Sequence, residues 1–221
     1  MSDNKSVSIP SLIAVPALIT LGITIFRLVG ELQNWPPMFF STEPGGGNAI
    51  VGISWLPIIF GPYFAMKLAG AGDGPSSAGK SIGFAVLGVV AFVLCGLWFG
   101  MIALHPSYFT LVPLLLMLVS AFIPGLGWRR LGNTLVAYAL AARIPVLIVM
   151  FIAMRGGWET HYSRVAPVFA NSGLFKQYLY EAIVPQMTLW IGWTSVVGSI
   201  FGSVAAAIAR RGKRAEQQAA A

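Results

Sequence analysis

The apolar residues of this chain come in blocks of about twenty, with polar residues collected between the blocks rather than along one side of each. A block of that length, apolar all round, matches the hydrocarbon thickness of a bilayer and not the stripe of a soluble amphipathic helix. Six blocks are read, at about residues 9–33, 48–70, 81–104, 108–128, 131–154 and 182–209. Only 10% of the residues are charged, against about 25% in an average soluble domain, so the chain lacks the polar surface a water-soluble fold needs. The expected fold is all-α: a polytopic bundle of about six transmembrane helices. It forms a single domain over residues 1–214, followed by a disordered tail at 215–221.

The net charge of +7 does not mark a nucleic-acid binder. The bases form no stripe on a polar domain; they sit at block edges, where the positive-inside rule and anionic headgroups place them. Lys67 and Lys80 flank one loop, Arg129 and Arg130 another, and Arg210, Arg211, Lys213 and Arg214 close the last block. These bases define the cytoplasmic face of a cell (inner) membrane. An even helix count then puts both termini there. Arg155, Arg164 and Lys176 on the opposite side are spread over a long loop and weigh less. Trp35, Trp98, Tyr108, Trp128 and Trp158 near block ends read as interfacial anchors.

Within the blocks, prolines and charges carry the information. The second block holds Pro57, Gly61 and Pro62. Each proline removes a backbone donor, so a kinked or broken helix is expected there, a hinge beside a cavity. Arg143 lies near the centre of the fifth block, where an arginine costs about 2.5–3.5 kcal/mol on insertion scales and normally faces the bundle interior. Arg27 and Glu31 are one helical turn apart on the first block, so their side chains can meet. Two cations and one acid in a shared cavity leave a positive charge without an acid. Arg143, Arg27 and Glu31 are therefore the expected site for an anionic ligand, whether carboxylate, phosphate or lipid headgroup. A structural Arg143, bonded to carbonyls freed by Pro145, is the competing reading.

Small residues mark helix contacts. Gly96 and Gly100 make one GxxxG, Gly198 and Gly202 another, and Ser195 and Ser199 continue the second surface. The outer loop, residues 155–181, leads into an amphipathic helix at about 172–183 that suits the membrane surface.

Gly74 to Ser81 matches the phosphate-loop pattern GxxxxGK[ST] letter for letter. That chemistry needs a buried strand before the loop and a nucleotide domain around it, and here a membrane block precedes it. Nucleotide binding is rejected on that context. No cofactor, metal set or catalytic group is expected: there are two histidines and one cysteine, and the central membrane blocks contain no acid.

The leading expectation is transport or binding of a small anionic or amphipathic ligand in an outward-facing cavity. An accessory subunit of a larger membrane complex, or a homo-oligomer, is the alternative, its partners other membrane chains and lipids. A membrane enzyme acting on lipids through Glu159, His161, Arg164 and His105 is the third.

Overall fold

A computed structural model of the protein describes residues 7–47, 49–102 and 111–219. The described residues are helical and contain no strand. Four helical runs are long and apolar enough to cross a membrane: Ile9–Leu32, Ala78–Ile102, Arg129–Gly156 and the C-terminal Leu174–Gly212. Two shorter apolar runs accompany them, Leu56–Gly70 and Leu111–Leu126.

Helix α1 (Ile9–Leu32) begins where Ser8 Oγ accepts from the Ser11 N–H, with Pro10 in a first turn that needs no donor. It stops at Asn34, whose left-handed φ of 55° breaks the ladder ahead of Pro36 and Pro37. A single turn, α2 (Pro37–Phe40), follows. Helix α3 (Leu56–Gly70) starts later than the apolar block suggests. Pro57 sits in its first turn, where a missing N–H costs nothing, and Pro62 lies inside a run assigned as one helix. The irregular backbone expected between the two prolines lies instead before Pro57, in the turns and bends of residues 49–55. Asn48, expected as the block's start, lies outside the described residues, as do the reversal at His105–Pro106 and the belt residue Tyr108.

Helix α4 (Ala78–Ile102) and α5 (Leu111–Ser120) come next. The fourth block is shorter as a helix than its apolar run, because Pro124 and Gly125 convert its end into a 3₁₀ turn, Ile123–Leu126. Helix α6 (Arg129–Gly156) ends on Gly157 at φ 61°, whose N–H bonds the carbonyls of Ala153 and Met154.

The segment expected as an amphipathic helix at about 172–183 runs on into the last span with no intervening loop. Helix α7 (Leu174–Tyr178) passes through a π turn, Leu179–Ile183, into α8 (Val184–Met187) and then α9 (Leu189–Ala219). The π turn precedes Pro185, which lacks the donor for a regular ladder. Tyr178 donates to the Leu147 carbonyl at 3.0 Å and so ties this run to α6. The backbone of α9 stays helical to Ala219, through residues expected to be a tail.

Helix α9 is the centre of the bundle and packs on α3, α4, α5 and α6, while α1 leans on α6. Glycines set the closest approach. A Cβ on Gly61 would overlap the Gly198 carbonyl, and one on Gly202 would lie 2.7 Å from the Gly61 carbonyl. Gly61 thus serves close backbone contact between α3 and α9. Ser195 donates to the Ala121 carbonyl at 2.6 Å, and Ser203 meets Ser81 at 2.7 Å. Ser199 is buried on the same stripe. Gly96 packs toward Met117 of α5, whereas a Cβ on Gly100 would meet nothing within 4 Å among the described residues. Of the small-residue positions, all but Gly100 are therefore used inside the chain.

The contacts define two ends. At one, Arg130 bonds the Val7 carbonyl, Trp128 Nε1 donates to Asp73 and Arg210 donates to Pro75. Trp128 is buried there and is not an interfacial anchor. The loop that mimics a nucleotide site is held by these contacts, and Ser81, which would be its magnesium ligand, is bonded to Ser203. The other end gathers the C-terminal part of α1, the loops after it, the second half of α6 and the start of the last run.

Candidate functional site

A cavity of about 300 Å³ opens at this second end. Arg27 and Arg143 both line it, together with His161, Tyr162, Gln186 and Trp190. Its apolar wall comes from residues such as Ile23, Ile53 and Met150. The size and the mix of apolar wall and few polar groups suit a small organic ligand.

The two arginines stand in opposite situations. Arg27 is fully engaged. Its Nε donates to Glu31 Oε1 at 2.7 Å, and its other nitrogens donate to the carbonyls of Val51 (2.9 Å), Ser41 (3.1 Å) and Gly46 (2.8 Å). It holds the irregular segment between α2 and α3 against α1. A Cβ on Gly46 would lie 2.7 Å from its guanidinium, and Gly46 also sits at φ 87°, so this close approach requires glycine twice over.

Arg143, halfway along α6, is 4% exposed. Its Nε is buried with no hydrogen-bond partner among the described residues. Its hydrogen bond to Gln186 Oε1 is long, at 3.4 Å, and the guanidinium carbon lies 4.7 Å from the Trp190 ring centre. Among the described residues no carboxylate comes within 4.0 Å of it. Cation–π contact stabilises a buried guanidinium by about 2 kcal/mol or more, but it brings no compensating negative charge.

Glu31 lies under the cavity with its side chain fully buried. Besides Arg27 it accepts the backbone N–H of His161 on Oε2 at 2.8 Å, and His161 Nδ1 lies 2.5 Å from Oε1. Tyr162, next in sequence, donates to the Thr24 carbonyl at 3.3 Å, so the 157–165 loop is clamped onto α1 at two points. Burial holds the His161 imidazole below its ordinary value; Arg27 adds to that, and Glu31 opposes it. Around the rim, Arg164 donates to the Thr42 carbonyl at 3.1 Å, and Glu181 accepts from the Ala166 N–H at 3.3 Å.

With a neutral imidazole, the three arginines of the lining face two carboxylates, Glu181 and the underlying Glu31. One positive charge is left over; of the two arginines with no carboxylate within 4.0 Å among the described residues, Arg164 is exposed and Arg143 is buried.

The sequence-predicted residues thus converge in part. Arg143 and Arg27 share the cavity, and Glu31 is its floor rather than its wall. Pro57, Gly61 and Pro62 do not line it. Gln186, Trp190 and Tyr162 were not anticipated, because they arrive through the π turn and a loop that closes over 130 or more residues. Of the enzyme candidates, Glu159 is exposed and away from the cavity, His105 lies outside the described residues, and His161 is partnered by Glu31 instead. Among the described residues no three His, Cys, Asp or Glu side chains cluster as a metal set would require. Comparison with known proteins finds no matching family model, no matching curated protein and no matching solved structure.

Proposed function

We propose that this protein binds a small anionic or amphipathic ligand in the cavity beneath its outer loop, and that carrying such a ligand across the membrane is the activity the site serves. The observation that supports the reading is Arg143: a buried guanidinium at mid-helix, short of hydrogen-bond partners and of any acid among the described residues, on the wall of a cavity of about 300 Å³. A buried cation without a carboxylate is costly, and a ligand oxyanion would offset that cost with bidentate hydrogen bonds of a kind that Gln186 does not supply.

In this reading α3 and the Leu111–Leu126 run join the four long helices as spans, giving six. The basic end, with Lys67, Lys80, Arg129, Arg130, Arg210 and Arg211, is cytoplasmic by the positive-inside rule, and both termini lie there. The cavity then opens on the outer side of a cell (inner) membrane.

Native mass spectrometry of the detergent-purified protein, wild type beside Arg143→Leu, tests the reading. The wild type is expected to retain an anionic small molecule or lipid that the variant loses. Identical retention by both proteins overturns it.

A further inference from the structure

His161 presents the cavity with the wrong polarity for the ligand just proposed, and this has a chemical consequence. Its Nδ1 is 2.5 Å from Glu31 Oε1, and its backbone N–H is held on Glu31 Oε2 at 2.8 Å. A carboxylate beside Nδ1, itself bonded by Arg27, requires a proton on Nδ1 and so fixes the tautomer. In the neutral ring Nε2 is then an acceptor. It has no protein partner among the described residues, and His161 lines the cavity. The ring cannot exchange tautomers to greet an oxyanion, because that would set a lone pair of Nδ1 against Glu31. It can meet an oxyanion only by gaining a second proton.

The groups facing the ring agree with this. From α1 come Glu31 and Arg27; the Tyr162 ring lies beside the imidazole, tilted by 42°, at 3.8 Å between centroids. Across the cavity stands Arg143, and at the rim Arg164 and Glu181. Burial and Arg27 disfavour a second proton on the imidazole, while Glu31 favours it, and the net shift is downward. An anion held in the cavity beside Nε2 adds a negative charge next to the ring and shifts the balance toward imidazolium.

We propose that the cavity takes its anion together with one proton, held on His161 Nε2. The proton comes from bulk water and adds to the Nε2 lone pair. The Nδ1–H bond to Glu31 stays in place, and no bond in the ligand forms or breaks. The inference rests on the anion-site reading above. It makes the ligand class an oxyanion, either free in solution or as the headgroup of an amphiphile, and any transport of it proton-coupled.

The test uses anions that do not themselves titrate near neutrality: methanesulfonate for a free anion and decanesulfonate for an amphiphile. Titration calorimetry of the detergent-purified full chain, in two buffers of different ionisation heat, counts the protons taken up on binding. The wild type is expected to gain up to about one proton per sulfonate, and its affinity to rise by up to about tenfold per unit fall in pH across the linked range. His161→Gln, which keeps the backbone bond to Glu31, is expected to bind with no uptake and no pH dependence; His161→Asn repeats the test with a shorter side chain. Arg143→Gln is expected to lose binding. Binding by the wild type without proton uptake, or full uptake by both His161 variants, overturns this proposal and leaves the anion site standing. Failure of the wild type to bind either sulfonate defeats the anion site itself, and this proposal with it. Binding of decanesulfonate alone assigns the site to an amphiphile; equal binding of both assigns it to a free anion.

Discussion

Arg27 and Arg143 are the same side chain on the wall of the same cavity, and they do opposite things. Arg27 has an acid one turn away on its own helix and three carbonyls from a loop wrapped around it. Arg143 has a distant amide, an aromatic face and a nitrogen without a partner. The first is part of the architecture; the second is a buried charge with few partners among the described residues. Location in the membrane therefore does not by itself make an arginine a ligand contact. The census of its donors does.

Removing Glu31 is the strongest way to break this contrast. Glu31→Ala leaves Arg27 buried without its carboxylate and unclamps the His161 loop. A loss of about 3–5 kcal/mol is expected, as for other buried pairs broken from one side. Unfolding in mixed micelles measures it, and a loss under about 1 kcal/mol would mean the carbonyls alone suffice for Arg27. Next in size is Arg143→Leu, with the opposite sign. Taking away a buried charge removes about 2.5–3.5 kcal/mol of insertion cost, offset in part by the lost Trp190 contact, so a net gain of about 1–2 kcal/mol is expected in the same assay. A destabilisation as large as that of Glu31→Ala would make the two arginines equivalent.

The smallest effect is that of pH. Folded His161 titrates below the ordinary 6.5, so the unfolded chain binds more protons. Its contribution to stability is complete above about pH 6.5 and is lost as the pH falls through the lower, folded value. Melting curves of wild type and His161→Gln should run parallel above that range and converge below it. Parallel curves at all pH values would place the imidazole in an environment no different from water.

The membrane class was legible because block length and composition need no tertiary knowledge. So was the pairing of Arg27 with Glu31, since helical spacing alone brings them together. The suspicion of Arg143 came from depth in the fifth block. What escaped was whatever depends on long-range closure. Nothing local in Trp158 to Tyr162 says that this loop lands on α1. The second block misled for a physical reason: Pro57 reads as an interruption inside an apolar run, whereas it is a starter, and a continuous hydropathy signal cannot separate irregular backbone from helix. Gly61 had a visible signal, but it was read as pliancy when it is contact. Gln186 and Trp190 could have been flagged by Pro185, the one proline near the start of the last block, since a displaced ladder there turns side chains inward.

The Glu31 cluster also has an order in time. Arg27 finds its carbonyls at Ser41, Gly46 and Val51, so its bonds close within 24 residues of synthesis. His161 reaches Glu31 only 130 residues later. While the chain is being made, the floor of the cavity forms almost as soon as its first helix is threaded into the bilayer, and the imidazole arrives after four further apolar blocks. A truncated or stalled chain would carry a paired Arg27 and still lack the clamp that His161 and Tyr162 place on α1. Assembly of the pocket is thus a check that the chain has been threaded almost to its end.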